Sequence, residues 1–112
     1  MVYTLDEIKK RITPVAQKYS IPTVWVFGSY ARGEATEDSD IDLLFQREGS
    51  TIVGWMIGAF YEDLRESLGK ELDLVTEESL SQHTDRRGSK RFAENLFKER
   101  KMLYKRFGYA AH

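Results

Sequence analysis

Gly28-Ser29-Tyr30-Ala31-Arg32-Gly33-Glu34-Ala35-Thr36-Glu37-Asp38-Ser39-Asp40-Ile41-Asp42-Leu43-Leu44-Phe45 opens where one apolar run, Val24 to Phe27, stops, and it closes on another, Ile41 to Phe45. Both runs are short, β-rich and bounded by polar or turn residues, the pattern of buried strands. Between them a Gly-Ser turn leads into a short helix and a polar loop. Asp40 and Asp42, spaced by one residue at the start of the second strand, point to the same face because side chains alternate along a strand. Two carboxylates held there repel each other and call for a cation. Magnesium suits them, since it takes oxygen ligands and leaves positions for phosphates. Glycine lets backbone approach closely, and free amides at the turn make an anion seat fit for a nucleotide's phosphates.

Outward from this stretch, Glu71 to Val75 reads as a third strand, with Leu72 and Leu74 on one side and Asp73 on the other. If it lies beside the Asp40/Asp42 strand, three carboxylates converge, a patch suited to two-metal chemistry with Asp73 accepting a hydroxyl proton. Thr4 and Glu7 form a capping-box pattern ahead of Leu5, Ile8, Ile12, Val15, Ala16 and Tyr19 at helical spacing. A break or kink is expected at Pro14. Thr51 to Leu68, closed by Gly69, reads as a helix with two apolar stripes: Ile52, Trp55, Ala59 and Leu64, and Val53, Ile57, Phe60 and Tyr61. The surplus face is either core or a partner surface. A last helix is expected from Gly88 to Phe107, burying Phe92, Leu96, Leu103 and Phe107, with Tyr104 in its packing and Lys90, Arg91, Lys98, Lys101 and Lys105 toward water. Helices alternating with short strands make the fold class α/β (α+β).

At 112 residues the chain has room for one domain, spanning 1–112, which excludes multi-domain polymerases, synthetases and kinases. It has no cysteine and two histidines, so thiolate zinc sites are excluded and any metal is held mainly by oxygen. His83 has no second ligand near it in sequence. The first thirty residues lack a secretory signal, and the longest mostly apolar run, Ile52 to Tyr61, is about half of the roughly 20 residues a membrane span needs. The chain reads as cytoplasmic. The net charge of −1 conceals an asymmetry: Met1 to Asp85 carries 16 acidic and 8 basic residues, a balance of −8, whereas Arg86 onward carries 9 basic and 2 acidic, +7. The basic end is either a solvated face or an electropositive surface for an acidic partner or nucleic acid.

The whole arrangement, Gly28-Ser29, ten residues, Asp40-Ile41-Asp42, and Asp73 on a third strand 31 residues after Asp42, resembles the nucleotidyltransferase superfamily typified by DNA polymerase beta. More closely, the short chain resembles the minimal nucleotidyltransferase, or MNT, domains of prokaryotes, from the leading helix through Val26 to Gly33, Ser39 to Leu44, Leu72 to Thr76 and the closing basic helix. The resemblance implies a small mixed β-sheet with helices packed against it, and an enzyme that transfers AMP from ATP to a hydroxyl with release of pyrophosphate. It implies that Gly28 and Ser29 hold the terminal phosphates, that Asp40 and Asp42 bind two Mg2+ ions, and that Asp73 joins the catalytic ion and serves as base. Arg32 either reaches a phosphate or the carboxylates, or pairs with Glu34 or Asp38. Gly33 serves the turn, Ser39 orients the loop, and Tyr30 could line the nucleotide site. MNT proteins pair with HEPN ribonuclease toxins, so the implied acceptor is a tyrosine of such a toxin, in a hetero-oligomer, and the implied role is antitoxin. The alternatives are neutralisation by binding alone, and AMP transfer to RNA or a small molecule, for which the chain carries no recognisable acceptor-binding region.

Overall fold

The computed structural model describes residues 2–82 and 89–106. Helix α1 (Leu5–Lys18) starts at the expected capping box: the Glu7 amide donates to Thr4 Oγ1 at 3.1 Å, and the Thr4 amide donates to Glu7 Oε1 at 2.9 Å. The helix runs unbroken through Pro14, so the expected break does not occur there. Its stripe of Ile8, Ile12, Val15 and Ala16 is buried on both sides of the proline, and that packing outweighs one missing helix hydrogen bond. The chain then forms β1 (Thr23–Phe27), the one-turn α2 (Gly28–Arg32), β2 (Ile41–Phe45), α3 (Met56–Leu68), β3 (Leu72–Thr76), α4 (Glu77–Gln82), α5 (Ser89–Glu99) and β4 (Lys101–Lys105).

The four strands form one mixed sheet in the order β3-β2-β1-β4. The pairs β1/β2 and β1/β4 are antiparallel, and β2/β3 is parallel with α3 as its crossover. One face carries Val24, Val26, Ile41, Leu43, Phe45 and Leu72 against Ile8, Ile12, Phe60, Leu64 and Leu68 of α1 and α3. The other face is smaller. There Trp25, Phe27 and Leu44, with Val75 at the margin, pack against Leu96 of α5. Strand alternation puts Asp42 and Asp73 on this second, thinly covered face, where side chains reach solvent.

Two expected elements come out differently. The segment expected as one helix from Gly88 to Phe107 is α5 followed by a strand. Leu96 and Leu103 are seven apart and satisfy a helical period, but β1 is buried at every position and its second edge needs hydrogen-bond partners. β4 supplies them, and the Arg106 amide extends the pairing to the Pro22 carbonyl at 2.8 Å. A bulge between Val24 and Trp25 shifts the register, which lets the consecutive Leu103 and Tyr104 both be buried, so Tyr104 packs from a strand rather than from a helix. Lys98, Lys101 and Lys105 are exposed, as expected. Phe107 and His83 lie outside the described residues, as does the side chain of Phe92.

The helix expected to start at Thr51 starts at Met56, because Gly54 takes a positive φ of 46° in a turn with Trp55 and the chain ahead of it is irregular. Its buried face mixes the two stripes, taking Phe60, Leu64 and Leu68, with Ile52 buried ahead of the helix. Val53 (60%), Trp55 (82%) and Ile57 (39%) remain exposed to water. Gly69 ends α3 in the left-handed conformation, as its position suggested.

Candidate active site

Strand register builds the centre of the site. Phe27 lies opposite Asp42 on the antiparallel pair, and Asp42 lies beside Asp73 on the parallel pair, so the end of β1 and the two acids form one row across three strands. Gly28 follows Phe27 with φ of 71° and packs directly on the carboxylate: a Cβ there would sit 2.1 Å from Asp42 Oδ2. Only glycine meets both demands, the left-handed backbone and the missing side chain. The turn it starts is closed by the Glu34 amide donating to the Ser29 carbonyl at 2.9 Å and by Gly33 at φ of 74°. Ser29 is half-buried beside Gly28 at the mouth of this turn.

The acids strain against one another. Asp42 is half-buried, while Asp40 and Asp73 are exposed. Burial, then the charge of Asp73 and a hydrogen bond with it, then the charge of Asp40, push the Asp42 carboxyl up to about 6, with Arg32 pulling the other way. A pair of carboxylates that resists ionising together can hold a hard cation through oxygen, and that donor set fits magnesium. Among the described residues no three His, Cys, Asp or Glu side chains are gathered closely enough to hold a metal by themselves. Phosphate and water oxygens would complete the coordination, as magnesium commonly requires.

Arg32, at the end of α2, pairs with Glu34 as one of the expected alternatives had it: Nε donates to Glu34 Oε1 at 2.7 Å. Its Nη1 donates to both oxygens of Glu99, at 3.2 and 3.3 Å. Glu99 also accepts from the Gly28 amide at 3.2 Å. Sequence reasoning passed over Glu99, which lies 71 residues from Gly28, and the one available signal was that it is one of two acids in a strongly basic end segment. Ser39 orients the loop as expected, its Oγ accepting from the Thr36 amide at 2.9 Å. The Lys70 ammonium fastens the same loop through the Glu37 carbonyl at 2.8 Å. Tyr30, considered for the nucleotide site, is 5% exposed and belongs to the main core.

Residues 8–103 match the nucleotidyltransferase domain family. Over 77 residues the chain is 42% identical to a protein of Methanocaldococcus jannaschii named as a candidate protein adenylyltransferase, an alignment covering 68% of this chain and 81% of that one. It is 38% identical over 83 residues to the protein adenylyltransferase MntA of Thermococcus cleftensis, covering 69% and 81%. In fold it is similar to a solved complex of a tri-AMPylated Shewanella oneidensis HEPN toxin with its MNT antitoxin, at a TM-score of 0.59 and 18% identity over 88% of this chain and 71% of that one. The match spans both the Gly28-Ser29 turn and the row of carboxylates, and the chain belongs to the nucleotidyltransferase domain family.

Proposed function

We propose that the chain is a magnesium-dependent protein adenylyltransferase that moves AMP from ATP to a tyrosine hydroxyl of a HEPN-family toxin and thereby acts, in the cytoplasm, as its antitoxin. The observation that carries this reading is the contact of Gly28 with Asp42 while Asp73 lies alongside, an arrangement that suits a turn able to seat phosphates next to the acids. The 38% identity to a protein adenylyltransferase supports the acceptor class. Gly28 and Ser29 hold the terminal phosphates, and Arg32 neutralises part of their charge. Asp40 and Asp42 would hold two magnesium ions, with Asp73 as a further ligand to one of them. Bound magnesium would supply charge neutralisation on the phosphates and the leaving group. The tyrosine oxygen attacks the α-phosphorus, the bond from that phosphorus to the bridging oxygen breaks, and pyrophosphate leaves. Asp73, exposed at the rim, takes the hydroxyl proton.

Mass spectrometry of the HEPN partner after co-expression tests this. Adenylate on a tyrosine with the wild type, and none with Asp42→Ala, is the expected result; a neutralised toxin carrying no adenylate would overturn it. That second outcome is neutralisation by binding alone, a reading favoured by the exposed Val53, Trp55 and Ile57.

A further inference from the structure

We propose that Glu99 guards the triphosphate seat: its carboxylate rests on the amide and the guanidinium that a nucleotide's phosphates need, so a ligand must displace it to enter. This rests on the reading of Gly28, Ser29 and Arg32 as the nucleotide-binding residues. The Gly28 amide donates to Glu99 Oε1 at 3.2 Å, and Arg32 Nη1 reaches both Glu99 oxygens. An amide has one hydrogen to give, so carboxylate and phosphate exclude each other there.

The placement of Glu99 is built by its neighbours. Leu96, one turn earlier, is buried against Trp25, Phe27 and Leu44. The next residue, Arg100, lays its guanidinium 4.2 Å over the Trp25 ring and 4.6 Å over Phe97, and pairs with Glu77 at 3.1 Å. These contacts pin the end of α5 and aim Glu99 at the turn. Release of Glu99 leaves Arg32 in place, because Glu34 still holds its Nε. The Glu99 side chain is 30% exposed, so it can swing to water when a more highly charged group arrives. Glu99 thus sets the threshold for entry: a triphosphate carries the charge to displace it, whereas neutral adenosine gains nothing from its departure.

Calorimetric titration of the full chain with AMP-PNP and with adenosine, magnesium present, tests this on wild type, Glu99→Gln and Glu99→Asp. Both variants withdraw the competing charge or its reach, and each should bind AMP-PNP roughly three- to tenfold more tightly, as a seat freed from self-occupancy does. Adenosine affinity should not change. Unchanged or weaker AMP-PNP binding in both variants, with the wild type binding normally and Gly28→Ala abolishing binding, would mean that Glu99 is a brace for the turn and no guard. If no form binds AMP-PNP, or if Gly28→Ala binds it undisturbed, the turn holds no phosphate and Glu99 guards nothing.

Discussion

Replacing Asp42 with asparagine should make the metal-free protein more stable while ending catalysis. The carboxyl is held at about 6 against an ordinary 3.8 by burial and by Asp73 and Asp40, so ionising it in the folded chain costs free energy that the unfolded chain does not spend. That difference corresponds to about 3 kcal/mol. Because the side chain is only half-buried, solvent screening reduces this to about 1–2 kcal/mol. The sign follows from linkage: a carboxyl whose folded value is raised contributes its full stability below 3.8 and loses it as the pH climbs through about 6. A carboxamide stays neutral throughout and keeps a donor toward Asp73. In the presence of a chelator, Asp42→Asn should therefore match the wild type near pH 4, pull ahead between pH 4 and 6, and melt roughly 4–10 °C higher at pH 8. Thermal unfolding followed by circular dichroism across that pH range measures it directly. Added magnesium should then raise the melting temperature of the wild type and leave the variant unmoved. A variant that melts at or below the wild type at pH 8, or a gap that ignores pH, would refute the placement of Asp42 among mutually repelling acids.

Gly28→Ala drives a methyl group into the Asp42 carboxylate and asks alanine for a φ of 71°, so it should abolish AMP transfer and lower stability by about 1–3 kcal/mol in chemical denaturation. Leu103→Ala should cost about 2–4 kcal/mol because Leu103 is buried on β4, whereas Met102→Ala, at a position 54% exposed, should cost under about 0.5 kcal/mol; equal losses would contradict the strand. Trp55→Ala should leave the melting temperature of the isolated chain within a degree or two of the wild type, since the ring is 82% exposed, and a large drop would show that it packs on this chain after all.

The legible parts of the fold were those in which local pattern and tertiary demand agree. The capping box at Thr4, the β1 and β2 runs and the Gly69 stop each follow from side-chain type and spacing, whereas the pairing of Asp42 with Asp73 depended on β3 lying beside β2. Where the demand is non-local, pattern misled. β4 exists because β1 needs a partner on its open edge, a requirement that nothing within residues 100–106 announces, and Leu96 and Leu103 mimic a helical stripe. Pro14 would break an isolated helix, yet four buried aliphatic residues keep α1 continuous through it. Within the site, Gly28 and Asp42 could be read from their motif. Glu99 could not, since its role comes from the way Arg100 and Leu96 fix the end of α5 against the sheet.

Transfer of AMP to protein is the claim on which the rest depends, and ATP labelled at one phosphate or another reads it most directly. The chain is incubated with magnesium and the HEPN-family toxin proposed as its partner, in parallel with ATP labelled at the α-phosphate and at the γ-phosphate. The account predicts label on the partner from the α-labelled nucleotide alone, lost with Asp40→Ala and with Asp42→Ala. No label from either nucleotide, or label that survives both substitutions, would contradict it.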